Sequence, residues 1–142
     1  MATNARVVWV EGAQFSAESG SGHLVAMDGA PDVGGRNLAA RPMEMVLMGM
    51  GGCTAVDVVS MLRKQRQDVT AMSVELAAER ADDFPKVFTS VKLIYRLRGR
   101  RLNRSLVERA VNLTMDKYCS ATAMVRKTAE VTHEIVLEDE PA

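Results

Sequence analysis

Aromatic residues and net charge are both scarce in this sequence. Phe, Trp and Tyr make up 4% of the 142 residues, and 18 Lys and Arg balance 18 Asp and Glu, so the formal net charge at pH 7 is zero. Proteins that bind single-stranded nucleic acid stack the bases on aromatic side chains, and binders of duplexes or anionic lipid carry a basic field. The composition therefore argues against a nucleic-acid partner and against an anionic lipid surface.

Metal-ligating residues are few and widely spaced. The sequence has two cysteines, Cys53 and Cys119, two histidines, His23 and His133, and no Cys-x-x-Cys pair. Zinc sites usually draw their ligands from closely spaced pairs, so we expect neither a metal site nor a bound cofactor. In a cytosolic protein the two thiols are reduced at rest.

No secretion signal is evident at the amino terminus, because MATNARVVWVEG has no basic segment followed by an apolar one. The longest apolar stretch, 43–62, contains Glu44, Asp57 and three glycines. Since charges inside a bilayer are costly, this stretch predicts a buried helix of a soluble protein and no membrane partner.

We expect a cytoplasmic protein that folds as a single domain over residues 1–142, because 47% apolar residues suffice for one core.

The first half of the chain predicts three strands followed by a long helix. Residues 6–10, 15–18 and 23–28 form an antiparallel meander, and the glycine-rich residues 29–41 form a loop. Pro42 suits the first turn of a helix that extends to Arg66. Two apolar stripes predict burial of this helix on most sides. The first consists of Met45, Met48, Gly52, Val56 and Val59, and the second of Val46, Met50, Cys53, Asp57 and Met61.

The second half predicts a strand hairpin, two helices and a last strand, which completes a βββ-α-ββ-αα-β order and an α+β fold. On the second hairpin strand, Val91, Leu93, Tyr95 and Leu97 fall on one face. The predicted ranges are 69–80 and 87–98 for the hairpin strands, 102–118 and 120–130 for the helices, and 131–137 for the last strand.

Both cysteines have a chemical and a structural interpretation. Cys119 precedes the predicted helix 120–130, where the partial positive charge of a helix N-terminus favours the reactive thiolate. Cys53 lies beside the glycines at 49, 51 and 52, which predict close helix packing, a kink or an accessible backbone. The simpler interpretation is that each cysteine fills space in the core. Likewise, Glu44 is typical of the acidic first turn of a helix, and His133 is expected to face solvent.

Two cysteine motifs resemble those of the OsmC/Ohr superfamily. Residues 41–59, RPMEMVLMGMGGCTAVDVV, resemble its central helix motif, in which a proline starts the helix and a cysteine follows eleven residues later. The segment KYCS at 117–120 resembles the second cysteine segment of the family, and RVVWVEG and FTSVKL also fit. The set PMEMVLM, GGC, RQDV and KYCS is similar to the YhfA-like branch.

The resemblance implies an OsmC-like fold of two antiparallel sheets with two long central helices, in an intertwined homodimer with active sites at its interface. It implies that Cys53, the more deeply buried thiol, reduces an organic hydroperoxide and becomes a sulfenic acid. Cys119 then condenses with it to a disulfide, and an external dithiol reductant restores both thiols. The alternative is a non-catalytic dimer that binds a small apolar ligand or senses redox state.

One position departs from the peroxidase pattern. In the peroxidase members an acidic residue directly follows the helix-starting proline and holds an arginine near the reactive cysteine. Here Met43 has that place and Glu44 follows, about 100° further around the helix. Glu44 is the third candidate site residue on this resemblance, and the arginine is not assigned among Arg6, Arg36 and Arg41.

Overall fold

A computed structural model describes residues 1–141 and confirms the α+β class and the predicted order of elements. The strands form two three-stranded sheets, ordered β1-β2-β3 and β4-β5-β6. The strands are β1 (Ala5–Glu11), β2 (Gln14–Ser19), β3 (Leu24–Asp28), β4 (Asp68–Arg80), β5 (Phe88–Arg100) and β6 (Glu130–Asp139). The helices are α1 (Pro42–Lys64), α2 (Arg104–Leu113) and α3 (Ser120–Val125), with a π-helical turn at Thr114–Tyr118 and a 3-10 turn at Pro31–Val33.

The chain forms two compact units, Met1–Met48 and the residues from Gly49 onward. In the first unit, β1, β2 and β3 form the predicted antiparallel meander. The loop that follows is anchored by the buried carboxylate of Asp28, which accepts hydrogen bonds from the backbone N–H of Arg36 at 2.9 Å and of Leu38 at 3.2 Å. These bonds, that of Arg36 above all, lower the pKa of Asp28 and keep the carboxylate charged.

The second sheet is mixed, which corrects the expectation of two antiparallel sheets. β4 and β5 form the predicted antiparallel hairpin, but β6 pairs with β5 in parallel, with Leu93 opposite His133. Parallel neighbours need a crossover of a dozen or more residues, and α2, the π turn and α3 together provide it. The predicted inner face of β5 is confirmed, because Val91, Leu93, Tyr95 and Leu97 are each 1% exposed or less.

Helix α1 buries a different stripe from the two predicted. Its buried residues, Met50, Gly51, Thr54, Val58 and Leu62, face the interior of the second unit at steps of three and four. Most of the first predicted stripe stays at the surface. Within the single chain only one face of the helix is covered, so burial on most sides remains a prediction that depends on a second subunit.

Within residues 1–141, α1 is the one helix long and apolar enough to cross a membrane, with a mean hydropathy of 1.7 over its most apolar window. That is weak evidence for a span, since a core helix of a soluble protein meets the same criteria. The other helices are short: α2 has 10 residues and α3 has 6. The predicted helix 120–130 thus ends at Val125, and a second long central helix remains a prediction.

Candidate functional site

The second unit brings the two cysteine thiols together. Cys53 on α1 is near enough to Cys119 to raise the pKa of that thiol, and both cysteines are free thiols. Cys119 stands between the π turn and α3, where its backbone N–H donates to the carbonyl of Thr114 at 2.8 Å. Its extended backbone, with φ −75° and ψ 103°, ends one helix and caps the next. The predicted break at Cys119 is present, and an approach of the two cysteines close enough for a disulfide remains a prediction.

Cys119 is held as a buried thiol. Its Sγ accepts hydrogen bonds from the backbone N–H of Thr122 at 3.4 Å and from the Thr122 hydroxyl at 3.1 Å. Burial nevertheless raises the pKa of Cys119, the bonds from Thr122 oppose this rise, and the neighbouring Cys53 adds to it. The pKa of Cys119 thus shifts in the opposite direction to the expected preference for the thiolate, because desolvation outweighs the hydrogen bonds from Thr122.

Cys53 is the more exposed of the pair, which reverses the expected order of burial. Cys119 is 2% exposed, whereas Cys53 is half-buried. The glycines beside Cys53 explain its access. A Cβ added at Gly52 or Gly49 would meet nothing within 4 Å, whereas one at Gly51 would lie 2.8 Å from Cδ1 of Leu76. Gly51 thus permits close packing of α1 on β4, and Gly52 leaves the backbone beside the thiol open.

A buried polar trio lies next to the thiols. Oγ1 of Thr54 is 2.5 Å from the hydroxyl of Tyr95, which donates to Sδ of Met115 at 2.9 Å. All three residues are 2% exposed or less. Burial raises the pKa of Tyr95 to about 12, and the charge of a Cys119 thiolate acts in the same direction. Tyr95 is therefore a neutral phenol at physiological pH, and the trio adds no formal charge beside Cys119.

His133 does not face solvent as expected. It is half-buried on β6, its Nε2 donates to Oδ1 of Asn112 at 3.1 Å, and its ring meets that of Tyr95 edge-on at 6.1 Å between centroids. Burial lowers the pKa of His133, so the imidazole is neutral at pH 7. The parallel register of β6 places it on the same side of the sheet as Tyr95, which the sequence alone did not indicate.

Glu44 lies in the first unit, in the first turn of α1. Its Oε1 accepts a hydrogen bond from the backbone N–H of Arg41 at 2.9 Å, as in a capping box. It precedes Cys53 by about two and a half helical turns. Arg36, one of the candidate arginines, forms an exposed ion pair with Glu11 at 2.7 Å. The structure thus gives Glu44 a capping contact, and its part in the thiol chemistry remains a prediction.

An open cleft of about 500 Å³ lies between α1 and α2. Two of its lining residues are close to the cysteines in sequence: Asp57 is one helical turn after Cys53, and Tyr118 directly precedes Cys119. Its lining combines charged, hydroxyl and apolar side chains: Asp57, Ser60, Met61, Lys64, Gln65, Arg109, Leu113 and Tyr118. Over residues 1–141, no group of three or more His, Cys, Asp or Glu side chains is arranged to hold a metal ion.

Comparison with known proteins identifies the class. The family model described as OsmC-like protein matches residues 34–134, so the chain belongs to the OsmC-like family. It falls in the YhfA-like branch, as the cysteine motifs indicated. Protein YhfA from Escherichia coli (strain K12) is 48% identical over 129 residues, which cover 91% of this chain and 93% of that protein.

Solved structures agree with this assignment. A structural-genomics structure with 44% sequence identity superimposes with a TM-score of 0.87 over 96% of this chain and 99% of its own. The organic hydroperoxide resistance protein OhrB of Bacillus subtilis is 14% identical, with a TM-score of 0.61 over 95% of this chain and 98% of its own. At that identity, OhrB shows a shared fold alone.

Proposed function

We propose that this protein is a thiol-dependent redox protein that reduces organic hydroperoxides through Cys53 and Cys119 in a stress response. The observation that carries the proposal is the proximity of the two cysteines, which are far apart in sequence and become neighbours only through the fold, so that Cys53 affects the pKa of Cys119. Membership of the OsmC-like family supports it, because structural neighbours are named organic hydroperoxide resistance proteins.

The unequal exposure of the cysteines supports distinct roles in this chemistry. Cys53, the accessible thiol, attacks one peroxide oxygen as thiolate; the O–O bond breaks, an alcohol leaves and Cys53 becomes a sulfenic acid. Cys119 attacks the sulfenic sulfur, water leaves and a disulfide forms. An external dithiol supplies two electrons and two protons to restore the thiols. Glu44 enters the proposal as the carboxylate that fixes the first turn of the helix bearing Cys53.

The surroundings of the pair favour an organic substrate over hydrogen peroxide. Thr54, Tyr95 and Met115 are buried and uncharged beside the thiols, and the cleft offers Met61 and Leu113 as apolar contacts. A peroxide-consumption assay with a dithiol reductant tests the proposal. Cumene hydroperoxide is expected to be consumed with multiple turnovers and faster than hydrogen peroxide. Absence of consumption with both peroxides would reject a peroxidase function.

A non-catalytic function is the second candidate, and the cleft is the observation that favours it. An open volume of about 500 Å³ is sufficient for a small amphipathic ligand without any thiol chemistry. The fluorescent probe anilinonaphthalene sulfonate distinguishes the candidates when titrated into a variant with both cysteines changed to serine. A binding module is supported if the probe binds saturably to this variant, if Met61→Asp abolishes the binding, and if the unmodified protein does not consume hydroperoxides. Peroxide turnover by the unmodified protein supports the redox enzyme.

We also propose a cytoplasmic homodimer of a single domain spanning residues 1–142, of which residue 142 lies outside the described part. The exposed side of α1 supports the dimer, because Met48 and Val56, about two helical turns apart, are 53% and 70% exposed in the single chain. Apolar side chains in such a row on one helix are typical of a surface that another subunit covers.

Placing a charge on this face is expected to dissociate the dimer. Val56→Arg buries an unpaired cation if a second copy covers α1, so the dimer should weaken by at least tenfold in dissociation constant. Size-exclusion chromatography with light scattering measures the mass. The matched control is Phe84→Arg. Phe84 lies in the turn between β4 and β5 and is 87% exposed, so this variant should leave the dimer intact. A stable monomer of the unmodified protein at micromolar concentration would contradict the proposal.

A further inference from the structure

The buried side of the cysteine pair carries a hydrogen-bonding device that the proposed peroxide chemistry does not use. Thr122 is fully buried and directs both its backbone N–H and its hydroxyl at Sγ of Cys119. Hydrogen bonds donated to sulfur stabilise the thiolate more than the thiol. Burial raises the pKa of Cys119 and the bonds from Thr122 oppose that rise, so Thr122 makes Cys119 a better leaving thiolate than burial alone would allow.

Access to the two sulfurs points in the same direction. Cys119 is 2% exposed, whereas Cys53 is half-buried beside the open backbone of Gly52. Its own chain covers Cys119 whatever packs against α1, so an external thiol reaches the pair from the side of Cys53. Attack on the outer sulfur expels the inner one toward the two donors of Thr122. Accessibility thus selects attack on Cys53, and the two donors of Thr122 offset part of the cost of releasing a buried thiolate at Cys119.

We propose that Thr122 is a positioning residue that makes Cys119 the leaving thiolate, so that the external dithiol always attacks Cys53 and forms its mixed disulfide there. This inference rests on the proposed function, in which the two cysteines form a disulfide.

The step balances as an ordinary exchange. One thiolate of the reductant attacks Sγ of Cys53, a new S–S bond forms and the bond to Cys119 breaks. The electron pair stays on Sγ of Cys119, which accepts the bonds from Thr122 and then a proton from solvent. The second thiolate of the dithiol then attacks the reductant sulfur that is bonded to Cys53. The mixed disulfide breaks, and Cys53 leaves as a thiolate. The reductant leaves as a disulfide, and two electrons have entered the protein.

The position of the mixed disulfide tests the inference directly. Diamide forms the Cys53–Cys119 disulfide without any peroxide, and excess 2-mercaptoethanol then begins its reduction. Acid quenching, alkylation and peptide mass spectrometry locate the adduct. We expect at least tenfold more adduct on Cys53 than on Cys119. Adduct mainly on Cys119 would overturn the inference, and failure of diamide to form the disulfide would overturn both it and the proposed function.

A variant of Thr122 distinguishes the effect of its hydroxyl from the effect of solvent access to the two sulfurs. Thr122→Val keeps the shape of the side chain and removes the hydroxyl donor. Reduction of the disulfide should slow by about tenfold, and the share of adduct on Cys119 should increase. Thr122→Ser should restore the rate. The control is Thr114→Val. Thr114 is equally buried, but its hydroxyl donates to Sδ of Met61 and not to Cys119, so the disulfide of this variant should be reduced as fast as that of the unmodified protein. Equal rates for Thr122→Val and the unmodified protein would contradict the assigned role.

The two proposals fail separately. If diamide yields the disulfide and the adduct appears on Cys53, but hydroperoxides never oxidise the pair, the peroxidase function is wrong and the role of Thr122 stands. If hydroperoxides are consumed with turnover but the adduct appears on Cys119, the peroxidase function stands and the role of Thr122 is wrong.

Discussion

Replacing Cys53 with serine is expected to lower the rate of organic hydroperoxide consumption by a factor on the order of 10³ or more. A serine hydroxyl is not ionised near neutral pH and cannot be oxidised to a sulfenic acid. Cys119 does not substitute for it, because it is 2% exposed and burial raises the pKa of its thiol. Consumption of cumene hydroperoxide under excess dithiol measures the loss.

The same substitution at the other cysteine is the matched control. Cys119→Ser leaves the accessible thiol in place, so one equivalent of hydroperoxide should still react and leave a sulfenic acid on Cys53 that dimedone traps. If Cys53→Ser retains turnover and Cys119→Ser loses the first reaction, the roles of the two thiols are reversed.

Truncating the centre of the second sheet is expected to cost about 2–5 kcal/mol of the free energy of unfolding. Leu93 is fully buried on β5, between the neighbouring strands β4 and β6, and Leu93→Ala leaves a cavity that the packed sheet fills poorly. Because small domains are only marginally stable, this is a large share of the total. Denaturant unfolding followed by circular dichroism measures the loss.

Ile94 provides the control for this core substitution. It is the next residue on β5, faces the other side of the sheet and is only partly buried. Ile94→Ala removes as many carbon atoms and should cost clearly less than Leu93→Ala. Equal losses at the two positions would show that the inner face of β5 is not the centre of the core.

Short-range patterns predicted most of the elements because they depend on local chemistry. The alternation around Leu93 and Tyr95 identified the inner face of β5, and Pro42 identified the start of α1. What could not be predicted depends on tertiary arrangement. The parallel pairing of β6 follows from the crossover, and the buried stripe of α1 follows from which side of the helix meets the sheet.

The candidate site was predictable in its residues and not in its environment. The two cysteine motifs identified Cys53 and Cys119, but their order of exposure depends on packing and was predicted the wrong way round. Thr54 and Tyr95 were missed as polar partners. A tyrosine within an otherwise aliphatic strand face is the available signal, since a buried hydroxyl needs a partner. Thr122 carries no such signal, because its bonds to Cys119 exist only once α3 has formed.

Mass spectrometry after oxidation by one equivalent of cumene hydroperoxide tests the central claim most directly. The reduced protein is mixed with the oxidant, free thiols are alkylated, and the intact mass and the peptides are measured without reductant. The account predicts loss of both free thiols and a peptide pair joined by a disulfide between Cys53 and Cys119. If both cysteines remain alkylatable thiols, or if Cys119 alone is modified while Cys53 stays a thiol, the proposed peroxide chemistry at Cys53 is wrong.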